Sequence, residues 1–307
     1  MKMPARDLLS IDDLEPVELA GLVAEGTRIK SDPASVRSAL AGKQVALVFE
    51  KPSTRTRISF EVAVTSMGGH AVVLRGDELQ LGRGETIEDT GRVLGRYVDA
   101  VVIRTFGQDR LERLADACPV PVVNALSDFS HPCQCLADMQ TIVEKRGSAE
   151  GCVLTYVGDG NNVAHSLMFG GAKLGMEVRI ACPPGFEPFP QVVDRCHEIG
   201  ADTGGSVEVL SDPLKAAEGA DVLYTDVWTS MGQEAEQAKK ESAFADFQVN
   251  YELIDRAADE VLVMHCLPAH RGQEISADAI DGPHSVVWDQ AENRLHAQKA
   301  LLMWLLG

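Results

Sequence analysis

Apolar residues in this chain fall in short unbroken runs rather than in strict alternation. VALVFE (45–50), AVVL (71–74), AVVIRTF (100–106) and PVVNA (121–125) form one series. VLTYVGD (153–159), EVRIACP (177–183), VEVL (207–210), DVLYTDVW (221–228), VLVMHCLP (261–268) and VVWD (286–289) form a second. Unbroken β-rich runs separated by helical patterns predict parallel strands covered on both faces, an α/β fold. An opening helix is expected over about residues 11–30. HPCQCLADMQTIVEKRG (131–147) places Leu136, Met139, Ile142 and Val143 on one helical face, ends in basic residues and closes at Gly147. The pattern therefore predicts two domains, 1–148 and 149–307, each a mostly parallel sheet flanked by helices. A final helix over about 291–307, apolar at Leu295, Leu301, Leu302, Trp304 and Leu305, is expected to pack back on the first domain.

A length of 307 residues suits two cores, with a ligand cleft expected between them. The balance of 28 Lys+Arg against 46 Asp+Glu, 28 − 46 = −18, argues against nucleic acid or an anionic membrane surface as partner. Any anionic ligand must be attracted locally. Cysteines at 118, 133, 135, 152, 182, 196 and 266 form neither a disulfide framework nor the paired CxxC spacing of a zinc site, which predicts a reducing cytoplasm. The N-terminus has acids and no apolar core, and no stretch approaches a membrane span, so no signal or membrane segment is expected.

Against this acidic background, FEKPSTRTRISFE (49–61) stands out: residues 51–57 hold Lys51, Arg55 and Arg57 with Ser53, Thr54 and Thr56, and no acid. A strand ending at Glu50, then Pro52 and a helical pattern, puts these residues at a helix N-terminus, where free N–H groups favour an anion. That effect contributes only about 0.3–1 kcal/mol, so Arg55 and the hydroxyls must add charge-assisted bonds to make a phosphate cradle. The plainer alternative is an N-cap with solvated arginines. Arg104 ends a strand, where α/β sheets bind ligands, and His131 and Gln134 are spaced to share a helical face. GDGNNVAHS (158–166) invites a dinucleotide reading, but Val163 replaces the third glycine and no acid ends the next strand. Asp226 and Cys266 each follow an apolar run; a loop cap and an inert core thiol are the plain readings. DELQLGRGE (77–85) reads as a loop.

The SxRTR stretch after a strand, His131-Pro132-Cys133-Gln134, Asp226-Val227-Trp228-Thr229-Ser230-Met231-Gly232 and His265-Cys266-Leu267-Pro268 stand in one order over essentially the whole chain. Together they resemble the aspartate/ornithine carbamoyltransferase family, the last two being similar to its ornithine branch. The resemblance implies carbamoyl transfer from carbamoyl phosphate to L-ornithine in arginine synthesis, without metal or organic cofactor. It implies that Ser53, Thr54, Arg55 and Thr56 hold phosphate, and that Arg104, His131, Gln134, Leu267 and Arg294 surround the carbamoyl group. Asn162, Asp226, Ser230 and Met231 are implied to hold ornithine, with Cys266 at its amine. Gln80 is implied to reach a neighbouring chain's site in a homotrimer. Transfer to putrescine, N-acetylornithine or aspartate is the alternative within the family; a nicotinamide oxidoreductase is the alternative outside it.

Overall fold

Each unbroken apolar run but the last becomes a parallel strand. The computed structural model describes residues 6–76, 78–79, 84–229 and 237–307, of 237–239 the backbone alone; Gln80, Ser230 and Met231 lie outside the described residues. The chain divides into two compact units, residues 1–140 with 293–307, and residues 141–292.

The first unit holds β1 (Gln44–Phe49), β2 (His70–Arg75), β3 (Ala100–Arg104) and β4 (Val122–Leu126) in the order β2-β1-β3-β4. Its helices are α1 (Pro16–Ser31), α2 (Thr54–Ser66), α3 (Ile87–Leu94), α4 (Gln108–Ala117) and the start of α5 (Pro132–Arg146). Ala46, Val48, Val101 and Ile103 from the strands pack on Leu111 and Leu114 of α4 in one buried cluster. Burying each such aliphatic side chain contributes about 1.5–3 kcal/mol.

The second unit orders β5 (Val153–Val157), β6 (Glu177–Ala181), β7 (Ser206–Leu210), β8 (Val222–Thr225) and β9 (Leu262–His265) as β7-β6-β5-β8-β9. Between and after them come α6 (Asn162–Lys173), α7 (Pro190–Thr203), α8 (Pro213–Ala217), α9 (Gln237–Ala243), α10 (Tyr251–Ile254) and α11 (Ala277–Asp281). Its core joins Val157, Leu223 and Val263 to Phe244, Phe247 and Ile275.

Strand order fixes where a ligand can sit. Within the first unit the chain steps from β1 outward to β2, then crosses to β3; within the second it steps from β5 to β6 and β7, then crosses to β8. Each sheet thus has a switch point, β1/β3 and β5/β8, beyond whose carboxyl ends connecting loops diverge and leave a crevice.

Two expectations are corrected. The opening helix is broken: Ile11–Asp13 is one 3-10 turn capped by Ser10, and α1 starts afresh with Pro16 at its first position, because proline can begin a helix but not continue one. VVWD is not a strand. Val263 bridges only to Ser285, and α12 (Val287–Leu306) begins two residues later, since a four-residue apolar run carries no period that separates a strand from a helix end. From Asn293 onward α12 belongs to the first unit, where Lys30 Nζ donates to Asn293 Oδ1 at 2.7 Å. Among the described residues no helix is long and apolar enough to cross a membrane.

The N-terminal segment extends the first sheet by a bridge from Leu8 to Val123, and Asp7 accepts from the Val122 N–H at 2.7 Å. Burial pushes the Asp7 carboxyl up to about 6, with Asp13 and Asp116 adding to the rise against the lowering by that N–H. A folded-state value above the unfolded one means that Asp7 favours the fold at low pH and loses that contribution as pH rises through about 6. Asp7→Asn keeps an acceptor for Val122 without the charge. Its melting temperature relative to the parent chain is therefore expected to climb between pH 4 and pH 8; a difference that stays flat with pH would show that Asp7 ionises without cost.

Candidate active site

In the first unit, β1 delivers Glu50 to the start of the basic stretch, and α2 begins at Thr54 with Ser53 in the extended capping position. The three cations of this stretch have different fates. Lys51 is buried, paired with Asp128 at 2.5 Å and set over the Phe106 ring at 4.5 Å from its centre. Exposed Arg57 lies 3.8 Å from Glu61, one turn along α2. Arg55 has no ion-pair partner among the described residues, and its buried Nε makes no hydrogen bond. The nearest acid by sequence, Glu50, is held bidentately by Arg110 (3.1 and 2.7 Å) and receives the Thr105 hydroxyl. Its negative charge is thereby matched, leaving Arg55 without an opposite charge among the described residues.

Arg104 closes β3 where the β3–β4 register shifts between Ile103 and Arg104. After β4 a tight turn, with the Ser127 N–H donating to the Ser130 carbonyl at 2.9 Å, presents His131 at the head of α5. His131 is 5% exposed, and burial together with the positive charges of Arg294 and Arg104 holds its imidazole well below the usual histidine range. It is therefore neutral at physiological pH and offers a ring N–H without carrying charge. Buried Arg294 donates to the buried hydroxyl of Thr56, tying α12 to the first turn of α2. Gln134 donates its amide N–H to Asp138 at 2.8 Å, which fixes the amide's orientation and leaves its buried Oε1 without a hydrogen bond. The first unit thus gathers Thr56, Arg104, His131 and Arg294 into one electrostatic neighbourhood, with Arg55 on the same turn of α2 as Thr56. Beside it, a cavity of about 650 Å³ is lined by Ser53, Thr54, Arg57 and Arg75 among others.

The second unit builds the opposite polarity. Asp226 directly follows β8 and Cys266 directly follows β9, and the Cys266 thiol donates to Asp226 Oδ1 at 2.9 Å. The Val227 N–H donates to the same oxygen at 2.8 Å. Asp226 Oδ2 receives the Asn161 amide at 3.2 Å, while Asn161 Oδ1 accepts from the Val163 and Ala164 N–H groups and so caps α6. Buried Asn162 begins that helix. Asn161 was not singled out by sequence reasoning, although an Asn before a helical run is the usual N-cap signal. Gly160 is compact for a local reason, since a Cβ there would lie 2.3 Å from the Pro188 nitrogen.

Ligand atoms of Asp226, His265 and Cys266 lie within 4.8 Å of one another, a donor set of the kind zinc accepts. Both His265 nitrogens are engaged, however: Nδ1 accepts from the Leu267 N–H at 2.8 Å and Nε2 faces Glu274 Oε1 at 3.1 Å. A metal would have to break one of these bonds. The dinucleotide alternative also fails on chemistry, because Val163 is buried where the third glycine would stand and β6 runs into Ala181-Cys182-Pro183 with no carboxylate for a ribose.

Residues 6–144 match the family model described as the aspartate/ornithine carbamoyltransferase carbamoyl-P binding domain, and residues 150–305 the model of the Asp/Orn binding domain. An ornithine carbamoyltransferase of Parafrankia sp. is 57% identical over 99% of this chain and 97% of its own length. A Pyrococcus furiosus relative named ornithine carbamoyltransferase, anabolic, is 52% identical over 100% and 98%. The solved structure of ornithine carbamoyltransferase from Pyrococcus furiosus superposes with a TM-score of 0.96 at 52% identity, covering 100% of this chain and 99% of that one.

Proposed function

The chain belongs to the aspartate/ornithine carbamoyltransferase family, and we infer that it transfers the carbamoyl group of carbamoyl phosphate to the δ-amine of L-ornithine, giving L-citrulline and phosphate. The anabolic name of the Pyrococcus furiosus relative supports a place in arginine biosynthesis. What supports the site assignment most is the neutral His131 beside Arg104 and Arg294: buried hydrogen-bond donors and positive charge, arranged for an oxygen on which negative charge develops.

On this reading residues 1–148 receive carbamoyl phosphate and residues 149–307 receive ornithine, with the final helix of about 291–307 returned to the first domain. Ser53, Thr54, Arg55 and Thr56 hold the phosphate, and Arg104, His131 and Arg294 polarise the carbamoyl oxygen. Gln134 Oε1, an unused acceptor, takes a carbamoyl N–H together with the Leu267 carbonyl. Asn162, Asp226, Ser230 and Met231 hold the amino acid. The amine attacks the carbamoyl carbon, the bond to the phosphate oxygen breaks and the amine gives up a proton. An amine with a lysine-like pKa of ~10.4 must spend roughly 4 kcal/mol to be neutral at pH 7.4; the hydrogen-bonded Asp226–Cys266 pair receives the cation and offers acceptors for that proton. Holding two substrates in register supplies about 7–11 kcal/mol, which makes positioning the largest contribution. The reaction as written needs no metal or organic cofactor.

We propose further that the protein works in the cytoplasm as a homotrimer with shared sites, Gln80 of one chain contributing to the site of the next.

Purified protein given carbamoyl phosphate is expected to form citrulline with ornithine and to leave putrescine, N-acetylornithine and aspartate untouched; preference for another amine would overturn the substrate assignment. Arg55→Ala removes a cation that no described residue pairs, and loss of a charged hydrogen bond predicts carbamoyl phosphate binding weakened about ten- to a hundredfold by calorimetry. Unchanged affinity would falsify the cradle. Light scattering should return the mass of three chains, and a monomer that retains full activity would exclude a shared site.

A further inference from the structure

Among the motif residues to which this chemistry gives no role is His265, the last residue of β9. Its Nδ1 accepts from the Leu267 N–H at 2.8 Å, so that nitrogen carries no proton. The proton must then sit on Nε2, which faces Glu274 Oε1 at 3.1 Å. Both side chains are fully buried. The same Glu274 oxygen accepts the His270 N–H, its other oxygen lies 3.7 Å from the His270 ring, and the His265 N–H donates to Gln290 Oε1 at 2.9 Å. Leu267 itself has φ +59°, and it is the only non-glycine residue in the left-handed region among the described residues. Leucine rarely adopts that conformation unless its surroundings impose it, and such backbone outliers cluster at functional sites. The imidazole grips the peptide that leads into it.

We propose that His265, held by Glu274 as the neutral Nε2–H tautomer, is a positioning residue: its Nδ1 locks the Leu267 peptide in the left-handed turn and so sets the directions of the Cys266 thiol and the Leu267 carbonyl. This rests on the reading in which those two groups meet the reacting amine and the carbamoyl nitrogen. The logic is that of a carboxylate fixing a histidine tautomer, with the backbone N–H as the group oriented. Neither His265 nor Glu274 touches substrate in this scheme. The Cys266 thiol is aimed at Asp226 at 2.9 Å, and a rotated Leu267 peptide would carry it off that line.

Two substitutions separate this role from space filling. Asparagine places an acceptor where Nδ1 stands but does not reach Glu274; glutamine reaches Glu274 with a donor but offers Leu267 nothing. His265→Gln is expected to lower kcat for citrulline formation about ten- to a hundredfold, the loss of one hydrogen bond that orients reacting groups. His265→Asn should stay within about threefold of the parent kcat even though its melting temperature falls because Glu274 loses a donor. If the Asn variant does not fold, His265→Asn with Glu274→Gln removes the uncompensated carboxylate and is held to the same expectation. Equal kcat losses for Asn and Gln, or activity that follows melting temperature, would overturn the proposal. Nitrogen-15 NMR of the imidazoles, with His265 assigned by its absence from the Asn variant, should show an Nε2–H neutral ring; an Nδ1–H ring would sink it. If the parent protein forms no citrulline, the functional reading falls, and the tautomer spectrum still decides whether His265 holds the Leu267 peptide.

Discussion

The first unit's capacity for an anion depends on what happens to Glu50. A carboxylate stands at the end of β1, immediately before the turn proposed to attract phosphate, in a chain whose formal charge is −18. Left alone it would repel the ligand: two unit charges 4 Å apart interact by about 4 kcal/mol at an effective dielectric of 20, more than the helix terminus supplies. Arg110 from α4 clamps it with two bonds and Thr105 from the end of β3 adds a third. The acid becomes part of the scaffold that joins β1, β3 and α4, and the field at the head of α2 is left to Arg55. Lys51 is spent in the same way on Asp128. The basic look of the stretch is thus mostly structure, with one cation left unpaired among the described residues.

The second unit solves the complementary problem. A buried carboxylate is costly unless every lone pair is used, and Asp226 is supplied from three directions, by its neighbour's N–H, by Asn161 and by Cys266. Asn161 couples two tasks in one side chain, capping α6 with its oxygen and steadying Asp226 with its nitrogen. On the proposed reading an incoming amine replaces the thiol as donor to Asp226, since the thiol is a weak hydrogen-bond donor and the ammonium a strong one.

Much of this was legible in the sequence, and the parts that were not share a cause. Parallel strands announce themselves as unbroken apolar runs because both faces are buried, which is why the nine runs from VALVFE to VLVMHCLP emerged as β1 to β9 while the short VVWD did not. Motif positions at strand ends, such as Arg104, Asp226 and Cys266, lie where runs stop and are equally visible. Partner choice is not. Lys51 meets Asp128 across 77 positions and Glu50 meets Arg110 across 60, so the sequence singled out Arg55 but could not show that it alone of the three cations remains without an ion pair among the described residues. Asn161 hid beside Asn162 for a different reason, because adjacent identical residues at a helix start differ only in whether they cap or enter it.

Topology explains why such different chemistries occupy matching places. A parallel sheet directs every strand's carboxyl end to one edge, and the switch point is where the loops leaving that edge diverge. In the first unit β1 and β3 flank the switch and carry the α2 turn and Arg104; in the second β5 and β8 flank it and carry Asn161 and Asp226. Nothing in the fold dictates sign. Sign comes from single residues: Arg104 at the end of β3 in one unit, Asp226 beyond β8 in the other. The remaining degree of freedom is the loop backbone itself, and at Leu267 the second unit fixes it with a side chain rather than with a glycine, so that a left-handed residue can still carry an apolar group packed against the core. A glycine there would adopt the turn without help but would also leave it; leucine held by His265 does the first and resists the second.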